Sequence, residues 1–207
     1  MSKNIISGQY NGHDFVEIGG IKWSTCNVGA DKSTDAGLYF QWGDRKGYTA
    51  DEVGKVKRFN SQHYKHHNNK RYTKYNEFDS KQVLDLCDDA AFAYMGHGWR
   101  MPTTEEYAAL GNAVNMAWTK NYHRSGVAGI VLTDITDKSK ELFFPAVGIC
   151  CDGGVYGVDS YGGYWSDSLS SGDAPYGRSL FFSSDVVHWQ SSYFRSNGFP
   201  VRGILSI

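Results

Sequence analysis

From Leu142 to Ile207 the chain contains no Lys, Glu, Met or Thr, although all 13 of its lysines lie in the first 141 residues. This last third is a series of short alternating segments punctuated by Gly and Ser, a pattern that confines it to strands and tight turns. Between Gly153 and Phe199, 11 residues are Ser, 8 are Gly and 5 are Tyr. Tyr offers a rigid amphipathic contact at low entropic cost, and Ser and Gly adapt to the polar groups they meet. Lys and Glu are depleted from interface centres because their mobile charged ends are costly to immobilise and desolvate. The composition is that of a recognition surface.

Periodicity divides this segment into two sets. In "RSLFFSSDVVHWQ" the alternation places Leu180 and Phe182 on one face, with Ser179 and Phe181 on the other. Val187 and Trp189 point inward on the same logic, with Val186 and His188 outward. The expected outward set is Ser179, Phe181, Val186, His188, Ser191, Ser192, Tyr193, Phe194 and Ser196. It is chemically miscellaneous, whereas the inward set is uniformly apolar. A tightly specified core beneath an arbitrary surface describes a scaffold that displays a binding face. The plainer alternative is an aromatic-rich β surface with no ligand.

The upstream sequence predicts the scaffold. "DFVEIGGIKWSTCNVG" alternates on both sides of Gly19-Gly20, a two-residue hairpin signal, and "GLYFQWGD" reads as a further short strand. Lys46 to Ser80 is polar and rich in Lys, Asn and His, and reads as a surface insertion with little regular structure. "SKQVLDLCDDAAFAYM" has helical spacing at Val83, Leu84, Cys87, Ala91 and Tyr94. In "TTEEYAALGNAV", Thr103 and Glu106 form a capping box ahead of the stripe Tyr107, Leu110 and Val114. "GVAGIVLTD" and "ELFFPAVGICC" return to strands. The order predicts an α+β domain, with two helices packed on mostly antiparallel short sheets. At 207 residues one domain is expected, 13–207, after a lead-in at 1–12, with the insertion at 46–80 and the binding region at 153–199.

Several function classes drop out. A net charge of −1 and a pI of about 6.6 give no nucleic-acid footprint. No apolar run suits a signal-peptide core or a membrane span, so no membrane insertion is expected. Cys26, Cys87, Cys150 and Cys151 lack zinc or thioredoxin spacing and are expected to be reduced, mostly buried thiols. His63, His66 and His67 lack acidic or Cys partners at metal-site spacing and have basic neighbours. No Ser-His-Asp, paired-carboxylate or phosphate-loop constellation stands out, so neither enzymatic activity nor a cofactor is expected.

The stretches "FVEIGGIKW", "GLYFQWGD", "DDAAFAYMGHGWRMPTTEEYAAL", "LFFPAVG" and "YGGYWSDS" follow one another from about Asp14 to Arg202. In this order the chain resembles the C-type-lectin-fold variable proteins of diversity-generating retroelements, found in bacterial and phage genomes. These belong with the broader FISUMP and formylglycine-generating-enzyme-like group. The resemblance implies a C-type lectin fold and a gene whose 3′ end is rewritten by reverse transcription with errors at adenines. AAY codons then become Ser, Tyr, Asp, His, Phe, Val or Gly, and Gln190 is template-encoded. It adds Asp167, Ser170, Asp173, Tyr176 and Asp185 to the outward set as variable ligand-binding positions. Trp165, Leu180, Phe182, Trp189, Arg195, Gly198 and Arg202 become the fixed frame. It also implies a protein or glycan ligand on a cell surface, and a place on a phage tail fibre or bacterial surface, as a homo-oligomer or part of a fibre. A FISUMP-type adhesion domain without diversification is the alternative. Calcium-dependent sugar binding lacks its Pro-containing loop here, and the oxidative chemistry of the formylglycine-generating relatives lacks cysteines after Cys151.

Overall fold

The computed structural model describes residues 6–170 and 175–207. Strands β1 (Gly8–Tyr10), β2 (His13–Ile18) and β3 (Ile21–Asn27) open the chain. β2 and β3 join through Gly19-Gly20, where both residues take positive φ, 61° and 77°. That is the type I′ geometry expected of this dipeptide. There follow β4 (Phe40–Gln41), helix α1 (Ala50–Val53), β5 (His67–Asn68), β6 (Arg71–Tyr72), helix α2 (Ala90–Met95), β7 (Trp99–Arg100) and helix α3 (Thr104–Ala113). β8 (Val114–Thr119), β9 (Gly129–Asp134) and β10 (Glu141–Pro145) form an antiparallel three-stranded sheet. The rest of the chain is β11 (Val147–Cys151), β12 (Gly154–Val158), β13 (Tyr161–Leu169), β14 (Tyr176–Ser183), β15 (Val187–Phe194), β16 (Gly198–Phe199) and β17 (Arg202–Leu205).

The result is an α+β architecture dominated by sheet. One sheet runs β1-β2-β3-β17-β7, so the last strand returns beside the N-terminal hairpin. A second runs β15-β14-β13-β11-β16-β4, with β12 paired to β11. Its strands β13, β14 and β15 are longer than expected, at nine, eight and eight residues. Two apolar cores flank this sheet. The first includes Trp23, Tyr107, Leu110, Phe144, Tyr164, Leu180 and Phe182, and the second Trp42, Tyr75, Trp99, Trp165, Leu169 and Phe199. Among the described residues no helix is long and apolar enough to cross a membrane.

The capping box of α3 forms as expected: Glu106 N–H donates to Thr103 Oγ1 at 3.1 Å and Thr103 N–H to Glu106 Oε2 at 2.7 Å. The helix expected from Ser80 is corrected. The segment before Leu86 is extended instead, because its backbone pairs with β13. Leu169 N–H donates to Gln82 O, and Leu84 N–H to Asp167 O. Asp89 then starts the shorter α2 as its N-cap, accepting from Phe92 N–H at 2.9 Å. The 46–80 stretch is also more than a polar surface insertion. It carries α1 and the β5–β6 hairpin, and it buries Val53, Phe59, Tyr64, His66 and Tyr75. All four cysteines are unbridged, but they are not mostly buried: Cys150 is buried, Cys26 and Cys151 are partly exposed and Cys87 is exposed.

Arg202, fully buried, ties three strands together. Its guanidinium donates to Asn27 Oδ1 from Nε and Nη2, to Ser24 O and Thr25 O from Nη1, and to Phe143 O from Nη2. It also lies 4.5 Å from the Phe144 ring centroid. Lys offers three rotatable donors in place of this fixed fork. Arg202→Met and Arg202→Lys are both expected to cost about 3 kcal/mol or more, since each leaves buried carbonyls without their donors. Urea unfolding measures the loss, and recovery of full stability by Lys would show that charge, and not the fork, is what the site requires.

Candidate functional site

The sequence-derived binding region falls on β13, β14 and β15, and strand register decides which side chains meet. Residues directly opposite in antiparallel strands share a face. Trp165 pairs with Ser179, Gly163 with Phe181, and Tyr164 with Leu180. On the other side, Phe181 pairs with His188, Ser179 with Ser191, Gly177 with Tyr193, Arg178 with Ser192, and Tyr176 with Phe194. Between Ser179 and Phe181 the register slips by one residue, so β15 bulges at Trp189–Gln190. The bulge reverses the alternation along β15. Trp189 stays on the side of Val187, under α3, where a Cβ at Gly111 would lie 2.6 Å from its indole. Ser191 and Tyr193 join the side of His188.

The expected residues therefore separate into groups. One group gathers on the face of the second core: the Phe181 ring lies 5.6 Å from Tyr161, 5.6 Å from Tyr193 and 6.5 Å from His188. Tyr193 is half-buried, its ring edge-on to Phe199 at 5.0 Å, and Ser191 lies on the same side. A second group occupies the opposite face. Tyr176 stacks on Phe194 at 4.6 Å, and Arg178 donates to Ser192 Oγ at 3.2 Å, which in turn donates to Ser170 Oγ. Asp185 and Val186 stand exposed at the β14–β15 turn. Asp173 lies outside the described residues.

Four expected outward residues are buried, and each has a physical reason. Ser179 has the expected parity, but the second core covers that face at its level, with Trp165 directly opposite; its Oγ has no hydrogen-bond partner. Ser196 follows the buried Arg195 into β16, and its carbonyl accepts from Gln41 Nε2 at 2.9 Å. Ser170 sits beneath Ser192, and its N–H donates to Tyr176 O. Asp167 lies in the irregular part of β13, under Pro102 and Leu84. The frame residues Trp165, Leu180, Phe182, Arg195, Gly198 and Arg202 are all buried. Two residues at the site were not expected, Tyr161 and Arg178; the cross-strand register brings them there, and nothing in the sequence marked either.

The faces offer ring surfaces and hydroxyls. Burial pushes the phenols of Tyr193 and Tyr161 above their ordinary value, so both remain hydroxyl donors at neutral pH. Among the described residues one group has metal-ligand geometry, Asp85, Cys87 and Asp88. It is already neutralised: Lys65 and Lys74 each reach Asp88 at 2.6 Å, and Lys74 and Lys81 each reach Asp85 at 2.6 Å. Of the histidines, His66 is buried and hydrogen-bonded to Gly43 O, while His63 is exposed and bonded to Asn60.

Comparison with protein-family models, with curated proteins and with solved structures finds no match.

Two predictions follow from the buried and exposed positions. Phe194→Ser and His188→Ala are expected to change stability by less than about 0.5 kcal/mol, as exposed sites do. Tyr193→Ala is expected to cost about 2 kcal/mol through lost ring packing, and Trp189→Ala about 3 kcal/mol through the cavity left under α3. Chemical denaturation of the four variants checks the order. Asp167 is the second case. Burial, opposed by the Ser168 hydroxyl and Arg100 and reinforced by Asp89 and Glu106, pushes its carboxyl up to about 7. A raised carboxyl favours the folded state below its ordinary value, and this contribution is lost as pH rises through about 7. Asp167→Asn is therefore expected to be more stable than the wild type near pH 8 and to lose less stability between about pH 5 and pH 8. Thermal melts across that range test it, and parallel wild-type and variant profiles would show that Asp167 is ionised throughout.

Proposed function

We propose that the protein is a non-catalytic ligand-binding module of the C-type lectin type, with a recognition face on β14, β15 and the start of β13 that is diversified as in retroelement-encoded variable proteins. The observation that carries this reading is the grouping of Tyr161, Phe181, His188 and Tyr193 on and beside β13 and β14, whose middle is buried on both faces. Rings held on so rigid a base lose little entropy on binding. The exposed positions of this region, Asp185, Val186 and His188 by the β14–β15 turn and Phe194 on the opposite face, are all residue types that adenine-directed mutation of an Asn codon yields. The ligand is a molecule on a cell surface, and display in several copies raises the avidity of a modest single contact.

One observation favours the second reading, a fixed-ligand adhesion domain. Asp167, Ser170, Ser179 and Ser196 are sealed in the interior, where few replacements are tolerated. Sequencing the 3′ end of the gene across a population carrying it separates the two. Diversification predicts substitutions concentrated at the codons for Tyr176, Phe181, Asp185, Val186, His188 and Ser191–Phe194, matched to adenines in a nearby near-identical repeat. Codons as invariant there as that for Trp165 would leave the adhesion domain as the better account.

A further inference from the structure

We propose a second binding site, for a saccharide, in the cleft between the β5–β6 hairpin and the Asn76–Asp79 loop. The cleft has a volume of about 850 Å³ and is lined by Asn68, Asn69, Arg71, Tyr72 and Phe78 together with parts of the loop itself. It is independent of the recognition face on β14 and β15 and stands or falls separately.

Its walls are fixed before any ligand arrives. Asn76 Nδ2 donates to Tyr72 O at 2.7 Å, joining loop to hairpin. The Asp79 carboxylate accepts from the backbone N–H groups of Tyr75, Asn76 and Lys81. These bonds hold its carboxyl below the ordinary value and occupy it within the loop. The Tyr72 ring is held from behind by the Arg195 guanidinium at 4.7 Å and by His67 at 5.2 Å. Pre-organised walls of this kind lower the entropic cost of binding.

The lining identifies the ligand class. Phe78 is 83% exposed beside the cleft, so the fold leaves a large apolar face without cover. Around it stand short amides and no aliphatic side chain. A peptide anchor calls for an apolar pocket, and a phosphate calls for clustered cations, whereas Arg71 is the one cation in the lining. A pyranose fits what is present. Its C–H face covers an aromatic ring, and adjacent hydroxyls match the paired donor and acceptor of an Asn amide.

The test is saturation-transfer NMR on the full chain with cellotetraose, mannotriose, chitotriose and sialyllactose, the last reporting whether Arg71 selects an acidic sugar. At least one is expected to receive saturation at ring protons, with millimolar affinity. Phe78→Ala and Asn69→Gly are each expected to weaken it about tenfold, equivalent to about 1.4 kcal/mol, and Met116→Ala on β8 to leave it unchanged. Gly is the replacement at 69 because that residue sits at φ 47° and Gly keeps the turn while removing the amide. Saturation of none of the four sugars overturns the proposal, as does binding that Phe78→Ala and Asn69→Gly leave intact. Amide shifts in this cleft with a random peptide pool, the sugars being silent, would make it a peptide groove and also overturn the saccharide assignment.

Discussion

The middle of β13 and β14 is buried on both faces, and this constraint governs the rest of the molecule. Leu180 and Phe182 look into one core while Ser179 and Gly177 look into the other. An antiparallel sheet usually keeps one face in water and alternates polar with apolar residues. Here the second face has to accept the rings of Trp42, Trp165 and Phe199, so its own side chains shrink. A Cβ at Gly163 would stand 2.2 Å from the Phe199 ring, and one at Gly177 would stand 2.7 Å from Trp42. Glycine and serine therefore stand at Gly163, Gly177 and Ser179, where these strands pass beneath the rings of the second core. Larger side chains reappear where that core ends, at Tyr161, Phe181, His188 and Tyr193.

The second core is itself held by Arg195, the residue that follows β15. Its side chain donates to Tyr64 Oη, Tyr75 O and Lys74 O. It lies within 4.7 to 5.8 Å of the ring centroids of Trp42, Tyr64, Tyr72 and Tyr75. A delocalised guanidinium is the cation best suited to such a ring-lined site. Three of those four rings belong to the 46–80 stretch, so Arg195 fastens that stretch to the end of β15. Asp88 adds a second fastening, accepting from Lys65, Lys74 and Tyr75. A stretch that reads as an insertion is therefore one wall of a core, and the cleft at its tip inherits a rigid base.

What was legible in the sequence is what depends on local chemistry. The Gly19-Gly20 hairpin, the Thr103–Glu106 box and the parity of Leu180, Phe182, Val187 and His188 each follow from neighbouring residues and appear in the fold. What was not legible depends on partners far along the chain. The helical spacing of Val83 and Leu84 yields to backbone pairing with Asp167 and Leu169, a non-local bond that local periodicity does not register. The insertion seemed polar because its Lys and Asn residues outnumber Phe59, Tyr64 and Tyr75, the residues that anchor it. Along β15 the expected outward run from Ser191 to Phe194 ignored the pleat. The pleat divides it, and the bulge at Trp189–Gln190 sets which half takes which face, sending Ser191 and Tyr193 to the side of His188 and Ser192 and Phe194 to the other.

The compositional break at Leu142 accordingly has two sources, and separating them changes its weight. Long charged Lys and Glu side chains have no place in strands covered on both faces, so their absence from the middle of β13 and β14 follows from packing alone. The buried serines have the same origin: Ser166 Oγ donates to Arg178 O, and Ser168 Oγ to Asp167. Packing does not account for the rim. At Asp185, Val186, His188 and Phe194 the side chains reach solvent, where Lys and Glu would be easily accommodated and are ordinarily abundant. Their absence there does not follow from the fold, and it is what the proposed contact surface would explain. The proposal of a recognition face therefore draws on the grouped rings of Tyr161, Phe181, His188 and Tyr193 and on this small exposed set, and not on the Ser, Tyr and Gly content of the whole segment.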